Sequence, residues 1–313
     1  MKKGIVIKST GSWCTVKTES GEKYECKLKG NLRMKGIRTT NPVTIGDVVS
    51  FEILKETGRE VGLINTIQDR RNYILRKASN LSKESQILAA NIDQVYLIVT
   101  INHPVTTTLF IDRFLVSAEA YRIPVNLVFN KIDIYSPEDL EKLEELNSTY
   151  QKIGYKTFNI SLKTEENVPQ LVESMKGKIN LLSGHSGVGK SSLVNYIDKD
   201  LELKTSSISD YHNKGKHTTT YSEMFHIENG NYYIIDTPGI SGFGLIDMSK
   251  EEISHYFPEI FSLLGNCQFY NCTHVHEPGC AVKKGFQDGL ISESRYLNYI
   301  SIVLGDEGKY RLQ

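Results

Sequence analysis

The stretch "SGHSGVGKSS", residues 183–192, contains three glycines and ends in Lys-Ser-Ser. It fits the pattern G-x-x-x-x-G-K-[ST], in which the backbone N–H groups of a glycine-rich loop surround phosphate groups. The pattern has this meaning only where a strand precedes the loop and a helix follows it, because the phosphate then lies at the helix N-terminus. Here "KINLL" (178–182) has the pattern of a strand and "KSSLVNYI" (190–197) that of a helix. The sequence therefore predicts a nucleotide-binding loop, but the loop alone does not identify the base.

The residue types within this phosphate loop predict separate roles. Gly184, Gly187 and Gly189 allow the backbone to turn tightly and to approach the phosphate oxygens. Lys190 reaches the β and γ phosphates, and the Ser191 hydroxyl binds Mg²⁺. The predicted nucleotide contacts of the loop are Gly184, His185, Ser186, Gly187, Val188, Gly189, Lys190, Ser191 and Ser192.

Strand and helix patterns alternate on both sides of the loop, from residue 76 to about residue 245. "NIDQVYLIVTI" (91–101) and "PVNLVFN" (124–130) are nearly continuous apolar runs, typical of strands buried on both faces of a parallel sheet. "SPEDLEKLEELNSTYQKIG" (136–154) begins with a Ser cap, a Pro and acidic residues before an amphipathic helix. The alternation predicts an α/β domain with a mainly parallel sheet.

The motif "NKID", residues 130–133, follows one of these strands and identifies the base. The Asp133 carboxylate can accept hydrogen bonds from the N1–H and the exocyclic amine of guanine, a pair of donors that adenine lacks. Asn130 can connect the base edge to the phosphate loop, and the Lys131 stem can cover the ring. When ATP occupies a site built for these donors, the carboxylate has no partner, and this weakens the binding of ATP. With the next strand end, "SLK", the predicted base contacts are Asn130, Lys131, Ile132, Asp133, Ser161, Leu162 and Lys163.

Two segments after the phosphate loop predict contacts to the γ phosphate. In "DTPG", residues 236–239, Asp236 holds Mg²⁺ through its water shell and the Gly239 N–H contacts the phosphate. In "GKHTTT", residues 215–220, one of the three threonines is the switch residue, and Thr219 is expected rather than Thr218 or Thr220. The threonines could also begin a strand, where β-branched residues are favoured. The predicted magnesium ligands are Ser191, Thr219 and Asp236.

The residue after Gly239 bears on catalysis. Ras-like GTPases place a Gln there to orient the attacking water, and this chain has Ile240. His217, beside the switch threonines, is the nearest side chain able to fix a water or accept its proton. We therefore expect His217 to act with Lys190 in catalysis, the alternative being that His217 is an exposed loop residue.

The first 72 residues contain five short strand patterns separated by Gly, Asn and Pro, as expected for a small barrel of the oligonucleotide-binding (OB) type. Residues 1–77 hold 16 Lys+Arg against 8 Asp+Glu, although the whole chain has a net charge of zero. This asymmetry favours a polyanionic partner for the barrel, the alternative being a solvated surface without a partner.

Cationic and aromatic side chains of the barrel are candidates for RNA contact. Trp13 and Tyr24 could be stacking platforms, although for each the sequence favours a place in the barrel core. The basic candidates are Lys27, Lys29, Arg33, Lys35 and Arg38.

The segment "CQFYNCTHVHEPGC", residues 267–280, concentrates three of the five cysteines beside two histidines. Such a set can form a closed tetrahedral Zn²⁺ site, which is structural because no position remains for water. The predicted ligands are Cys267, Cys272, His274 and Cys280, with His276 as the rival fourth ligand and free buried cysteines as the alternative. Cys14 and Cys26 alternate with polar residues on strands and are expected in the core.

The five nucleotide motifs occur in the order base, base, phosphate loop, switch and "DTPG", whereas ordinary GTPases begin with the phosphate loop. With a basic barrel in front and a cysteine cluster behind, nearly the whole chain resembles the ribosome small-subunit-dependent GTPase A family of bacteria. Its most specific marks are the permuted order, "GKHTTT" and the spacing C-x4-C-x-H-x5-C followed by Ala-Val.

The resemblance implies an RNA-binding barrel and GTP hydrolysis that the small ribosomal subunit stimulates. It also implies a role in late maturation of that subunit and its rRNA, with catalysis attributed to a His at the position of His217. A protein of another class remains possible, an RNA-binding scaffold that uses GTP only as a structural ligand. A P-loop ATPase is disfavoured by "NKID".

The expected architecture has three domains, an OB-type barrel (1–72), a circularly permuted P-loop GTPase domain (76–245) and a mainly helical zinc-binding domain (246–313). The longest uncharged apolar run, Val95 to Ile101, is shorter than the roughly 20 residues that span a bilayer, and the N-terminus lacks a secretory signal. We expect a cytoplasmic monomer with GTP or GDP, Mg²⁺ and one Zn²⁺ as ligands and without membrane contact.

Overall fold

The computed structural model describes residues 1–10, 13–29, 42–56, 59–77, 85–198, 223–236 and 248–305. Its N-terminal unit is a closed five-stranded barrel. The strands are β1 (Lys2–Ser9), β2 (Trp13–Thr18), β3 (Lys23–Leu28), β4 (Val48–Glu56) and β5 (Arg59–Ile67). They pair in the order β1-β2-β3-β5-β4, and β4 pairs back to β1, which closes the barrel as the sequence predicts.

Side chains alternate between the inside and outside of the barrel. On β2, Cys14 and Val16 are buried in the barrel core. Because side chains alternate along a strand, Trp13, which precedes Cys14, points outward. Trp13 is 40% exposed, and its expected place in the core is therefore wrong. Cys26 lies opposite Cys14 in the core, as predicted, and burial raises the pKa of its thiol to about 12. Tyr24 is partly buried against the same core.

A two-stranded hairpin, β6 (Tyr73–Lys77) and β7 (Ser85–Ala90), connects the barrel to the next unit. These two strands are not predicted from the sequence. The hairpin touches the barrel through a bridge between Ile45 and Ala89. Beside it, Arg70 forms two hydrogen bonds of 2.6 Å with the buried Asp47 carboxylate.

The central unit is a six-stranded sheet with helices on both faces. Its strands are β8 (Gln94–Val99), β9 (Val125–Phe129), β10 (Lys156–Asn159), β11 (Ile179–Ser183), β12 (Glu223–Ile227) and β13 (Tyr232–Asp236). They are ordered β10-β9-β8-β11-β13-β12, and all pairs are parallel except β12 with β13. β12 also pairs with β1 through Glu223 and Lys8, so the barrel and this sheet are hydrogen-bonded together.

The inner strands β8, β9 and β11 of this sheet are buried on both faces, which explains the continuous apolar runs in the sequence. On β8, Val95, Leu97 and Val99 belong to one core cluster, and Tyr96 and Ile98 belong to the other. The first cluster is covered by α1 (Thr108–Ala120) and α2 (Pro137–Lys152) and the second by α3 (Val168–Glu173) and α4 (Lys190–Ile197). At the start of α2, Ser136 and Asp139 form the capping box that its sequence suggests.

The C-terminal unit consists of short helices, α5 (Lys250–Ile253), α6 (Pro258–Phe261), α7 (Ala281–Gln287) and α8 (Glu293–Leu304). Its core includes Phe257, Val282 and Tyr299 and reaches Val116 on α1 of the central unit. Arg295 on α8, 1% exposed, forms ion pairs of 2.7 Å with Asp112 of α1 and Glu259 of α6. Among the described residues, no helix has the length and apolar character needed to cross a membrane.

Candidate functional site

The phosphate loop connects β11 to α4, at the carboxyl ends of the parallel strands. Gly184 has φ 139°, and a Cβ there would lie 2.1 Å from the Ile98 carbonyl oxygen. Gly189 has φ 109°, and its Cβ would lie 2.4 Å from Asn130 Nδ2. Both positions therefore require glycine, because φ is positive and a Cβ would meet the backbone of β8 at Gly184 and the Asn130 side chain at Gly189.

Lys190, at the first residue of α4, turns back over the loop. Its Nζ donates hydrogen bonds to the carbonyl oxygens of Gly184 (2.8 Å) and His185 (2.6 Å). Ser191 follows it in the first turn of the helix. The N-terminus of α4 and the ammonium group together favour an anion here, as a nucleotide phosphate requires.

His185 lies in the loop against the first turn of α1. Its ring packs against Phe110 with 3.8 Å between ring centroids and an angle of 32° between the ring planes. Burial, and then the neighbouring Lys190 charge, lower the pKa of the imidazole. The unprotonated ring packs against a hydrophobic side chain at less cost than an imidazolium would.

Asn130 connects three loops. The side chain is 2% exposed, and its Nδ2 donates to the Val188 carbonyl oxygen of the phosphate loop at 2.8 Å. Its Oδ1 accepts from the Leu162 N–H at 3.3 Å, in the "SLK" segment. Residues far apart in the sequence are thus brought together at one site.

The other members of "NKID" surround this connection. Lys131 Nζ donates to the carbonyl oxygens of Gly187 (2.7 Å) and His103 (2.5 Å). Asp133 is exposed, and one of its carboxylate oxygens accepts from Ser161 Oγ at 2.6 Å. This arrangement presents an oriented carboxylate beside the phosphate loop, while Lys163 is exposed in the segment that follows Ser161.

Several predicted residues lie outside the described ranges, namely His217, Thr218, Thr219, Thr220, Gly239, Ile240, Arg33, Lys35 and Arg38. Asp236 ends β13, and its backbone pairs in register with Leu182 of β11, the strand that leads into the phosphate loop.

The structure adds two groups to this site that the sequence analysis does not identify. The loop after β8, residues 100–106, contributes the His103 carbonyl that Lys131 contacts. Tyr135, two residues after "NKID", contacts both this loop and the base motif through its hydroxyl. A tyrosine in a strand-to-helix loop has no distinctive sequence signal, so only the spatial arrangement reveals it.

A second candidate site lies in the C-terminal unit. The ligand atoms of Cys267, Cys272, His274 and Cys280 all lie within 4.8 Å of one another. His274 Nδ1 is 3.6 Å from Cys267 Sγ and 3.5 Å from Cys280 Sγ. Tetrahedral Zn²⁺, with bonds of about 2.0 to 2.3 Å, separates its ligands by roughly 3.5 to 3.8 Å. Three sulfurs and one imidazole at these distances fit a metal ion.

The loop that carries His274 is held at several points. Tyr296 and Tyr299 of α8 donate to the carbonyl oxygens of His274 and Thr273, each at 2.8 Å. Burial lowers the pKa of the His274 imidazole, which keeps it in the neutral form that binds metal. The rival ligand His276 is exposed, and the cluster found among the described residues contains His274 in its place.

On the barrel, the partly buried Lys27 pairs with the exposed ring of Trp13. Lys27 Nζ lies 5.0 Å from the centroid of the Trp13 ring, across the β2–β3 pair. Lys29 follows at the end of β3 and is exposed. An accessible ring beside cationic groups can stack on a base and contact a phosphate.

Comparison with known proteins places these features together in one family. The family model for the RsgA GTPase matches residues 67–246, and that for the RsgA N-terminal domain matches residues 3–62. A small ribosomal subunit biogenesis GTPase RsgA of Bacteroides fragilis (strain YCH46) is 57% identical over 99% of both chains. One of the same name from Porphyromonas gingivalis (strain ATCC BAA-308 / W83) is 53% identical over 98% of both chains.

Two solved structures share the fold. The crystal structure of YjeQ from Thermotoga maritima has a TM-score of 0.78 and 35% identity, covering 98% of this chain and 99% of that one. The crystal structure of YloQ, described as a circularly permuted GTPase, has a TM-score of 0.76 and 27% identity, covering 100% and 97%. The barrel and the permuted order of motifs are therefore confirmed, and the Cys3His cluster near the C-terminus could hold a metal ion.

Proposed function

The chain belongs to the RsgA GTPase family, and from this premise we propose that it hydrolyses GTP while assisting the late maturation of the small ribosomal subunit, which stimulates the hydrolysis. The contacts of the Asn130 side chain support the binding of a guanine nucleotide most directly. Its hydrogen bonds to Val188 and Leu162 join the base motif, the phosphate loop and "SLK" at one site. The exposed Asp133 carboxylate stands beside this connection, where it pairs with the two donors of guanine.

Nucleotide binding uses the loop and the first turn of α4. The phosphate oxygens accept from the loop N–H groups, and Lys190 exchanges its two carbonyl partners for the β and γ phosphates. Ser191, Thr219 and Asp236 would hold Mg²⁺, which supplies positive charge to the phosphate oxygens when it is bound.

We assign orientation of the attacking water to His217, since Ile240 cannot perform it. His217→Ala should keep GTP affinity nearly intact and abolish the turnover that small subunits stimulate. Lys190→Ala is the contrasting variant, because it should lose nucleotide affinity itself. Unchanged stimulated turnover in His217→Ala would refute this assignment.

The second candidate function is an RNA-binding scaffold that keeps GTP as a structural ligand. Ile240, in the position of a water-orienting Gln, favours it. Its signature would be tight GTP binding with no phosphate release, whether or not small subunits are present.

The partner surface that we propose is the barrel face around Trp13 and Lys27, which contacts rRNA of the small subunit. The double variant Trp13→Ala/Lys27→Ala should bind small subunits more weakly in a sedimentation assay and bind GTP as the wild type does. Lys176→Ala, which removes an exposed lysine of the central unit, is the control. Equal loss of subunit binding in both variants would contradict a specific barrel face.

The remaining features complete the proposal. The cluster at Cys267 holds one structural Zn²⁺, and the chain works as a cytoplasmic monomer on the small subunit. Its three domains are residues 1–72 for RNA contact, 76–245 for GTP and 246–313 for zinc.

A further inference from the structure

The Tyr135 hydroxyl lies where the base motif meets the loop after β8. It donates a hydrogen bond to the Asn130 carbonyl oxygen at 2.7 Å and accepts one from the Ile101 N–H at 2.9 Å. The residue follows a short 3-10 turn, Ile132–Ile134, and its ring packs against the core beneath α1. Burial raises the pKa of the hydroxyl to about 12, so it remains protonated and can donate at any physiological pH.

The first of these bonds completes the fixation of Asn130. The Asn130 N–H donates to the Val99 carbonyl at 3.0 Å, and its side chain is held at both ends by Val188 and Leu162. Tyr135 supplies the partner of its carbonyl oxygen. This carbonyl belongs to the peptide that precedes Lys131, a residue with the unfavourable φ of 69°.

The second hydrogen bond, from the Ile101 N–H to the Tyr135 hydroxyl, holds the loop after β8, which Lys131 contacts. Ile101 lies in the loop whose His103 carbonyl accepts from Lys131 Nζ. The same loop is held to α2 by Asn102, whose Nδ2 donates to Asp139 Oδ1 at 2.6 Å. One hydroxyl therefore connects the backbone of the base motif with the loop that its lysine contacts.

We propose that Tyr135 is a positioning residue for guanine recognition, acting through the Asn130 carbonyl and the Ile101 N–H to hold "NKID" in its binding geometry before the nucleotide arrives. This inference rests on the proposed function. The gain is preorganisation, since a pocket already in its bound geometry loses less conformational freedom when the base enters. The effect should appear as slower dissociation and sharper base discrimination, with little effect on the chemical step.

The test compares Tyr135→Phe with the wild type, because phenylalanine keeps the ring and removes only the hydroxyl. Dissociation constants and dissociation rates are measured for GDP and for inosine diphosphate, which lacks the exocyclic amine that Asp133 recognises. We expect GDP to bind to Tyr135→Phe about tenfold more weakly than to the wild type, which corresponds to about 1.4 kcal/mol. The weaker binding should appear as faster dissociation of GDP. The preference for GDP over inosine diphosphate should also fall.

Tyr155→Phe is the matched control. Its hydroxyl donates to Glu119 Oε1 at 2.8 Å near the end of α1, in the same core but away from the nucleotide loops. It should lower thermal stability while leaving both nucleotide affinities unchanged. The kcat of stimulated hydrolysis, measured at saturating GTP, should be close to the wild-type value in both variants.

The outcomes separate the two proposals. If the wild type binds GDP tightly and Tyr135→Phe has the same affinity and the same base preference, the positioning role is wrong and guanine binding stands. If Tyr135→Phe loses affinity for both nucleotides equally, its role is general stability, which also overturns the inference. If the wild type itself prefers adenine nucleotides, the proposed function fails first.

Discussion

Asp133 differs from its neighbours in the base motif, because it is exposed whereas Asn130 is buried. Its orientation comes from Ser161, which donates to one carboxylate oxygen at 2.6 Å. A side chain that is accessible but already oriented can read a ligand with little further ordering. Base identity therefore depends on what this one side chain offers.

Asp133→Asn should change the preferred base. The amide oxygen can still accept from Ser161, but Nδ2 then presents a donor, which suits the 2-carbonyl of xanthine and not the amine of guanine. The affinity for GTP should fall about a hundredfold or more, because mismatched polar groups in a binding site weaken binding strongly. The affinity for xanthosine triphosphate should rise. Equilibrium binding of both nucleotides measures this. Glu173→Gln, a neutralisation on α3, is the control, and unchanged selectivity in Asp133→Asn would refute the assignment of the base.

His185 makes the stability of the nucleotide-free protein depend on pH. Burial and Lys190 lower its folded pKa below the ordinary value of about 6.5, so the unfolded chain binds more protons near pH 6. Its contribution is present above pH 6.5 and is lost as pH falls through the lowered folded pKa. Between pH 7.5 and 5.5 the melting temperature of the wild type should fall more than that of His185→Gln. An equal fall of the two melting temperatures with pH would contradict this role of His185.

At the scale of elements, α1 connects the nucleotide site to the C-terminal unit. Phe110 in its first turn packs against His185, and Asp112 accepts from Arg295 of α8 and from Tyr150 of α2. Asn298 of α8 donates to the other oxygen of Asp112 at 2.6 Å. Helix α1 therefore contacts both the phosphate loop and the C-terminal unit.

Arg295→Met should destabilise the protein by about 3 to 5 kcal/mol, because it leaves the buried carboxylates of Asp112 and Glu259 without their cation. Asp112→Asn in the same background should restore part of the loss. Thermal or urea unfolding of the two single variants and the double variant measures the coupling. Strictly additive losses would show that the ion pair is not an interacting unit.

The elements also show how far the sequence could predict the fold. The strands of the central sheet were predictable because apolar runs such as Val95 to Ile101 are buried on both faces. The hairpin of β6 and β7 was not, because its short strands carry no such run. Trp13 was misplaced although strand alternation with Cys14 and Val16 already requires it to face outward.

In the candidate site, local motifs predicted the phosphate loop, "NKID" and the cysteine cluster, since each carries its chemistry in consecutive residues. Contacts between distant segments were beyond the sequence. Arg295 and Asp112 are separated by 183 positions, and Tyr135 bridges two loops without any local signal. Only the arrangement of the folded chain brings these groups together.

At the scale of the whole molecule, the three units are joined by hydrogen bonds and by a shared core. The barrel strand β1 pairs with β12 of the central sheet, and Val116 of α1 lies in the core of the C-terminal unit. The cluster of three cysteines and His274 contributes to that same core through Cys280, whose sulfur also accepts from the Lys283 N–H at the start of α7.

Metal removal should therefore loosen the C-terminal unit first. The purified protein should contain one zinc per chain by elemental analysis, and Cys272→Ser should lose it, whereas Cys14→Ser should retain it because that thiol lies in the barrel core. Chelation should lower the melting temperature and leave GDP affinity nearly unchanged, since the nucleotide loops lie in the central unit. Full zinc content in Cys272→Ser would contradict the ligand assignment.

We propose that this chain is a guanine-specific GTPase whose hydrolysis the small ribosomal subunit stimulates. The most direct measurement is phosphate release from GTP and from ATP, each with and without purified small subunits. We predict slow release from GTP alone, a large increase when small subunits are added, and little release from ATP under either condition. Release from GTP that small subunits leave unchanged, or a preference for ATP, would contradict the account.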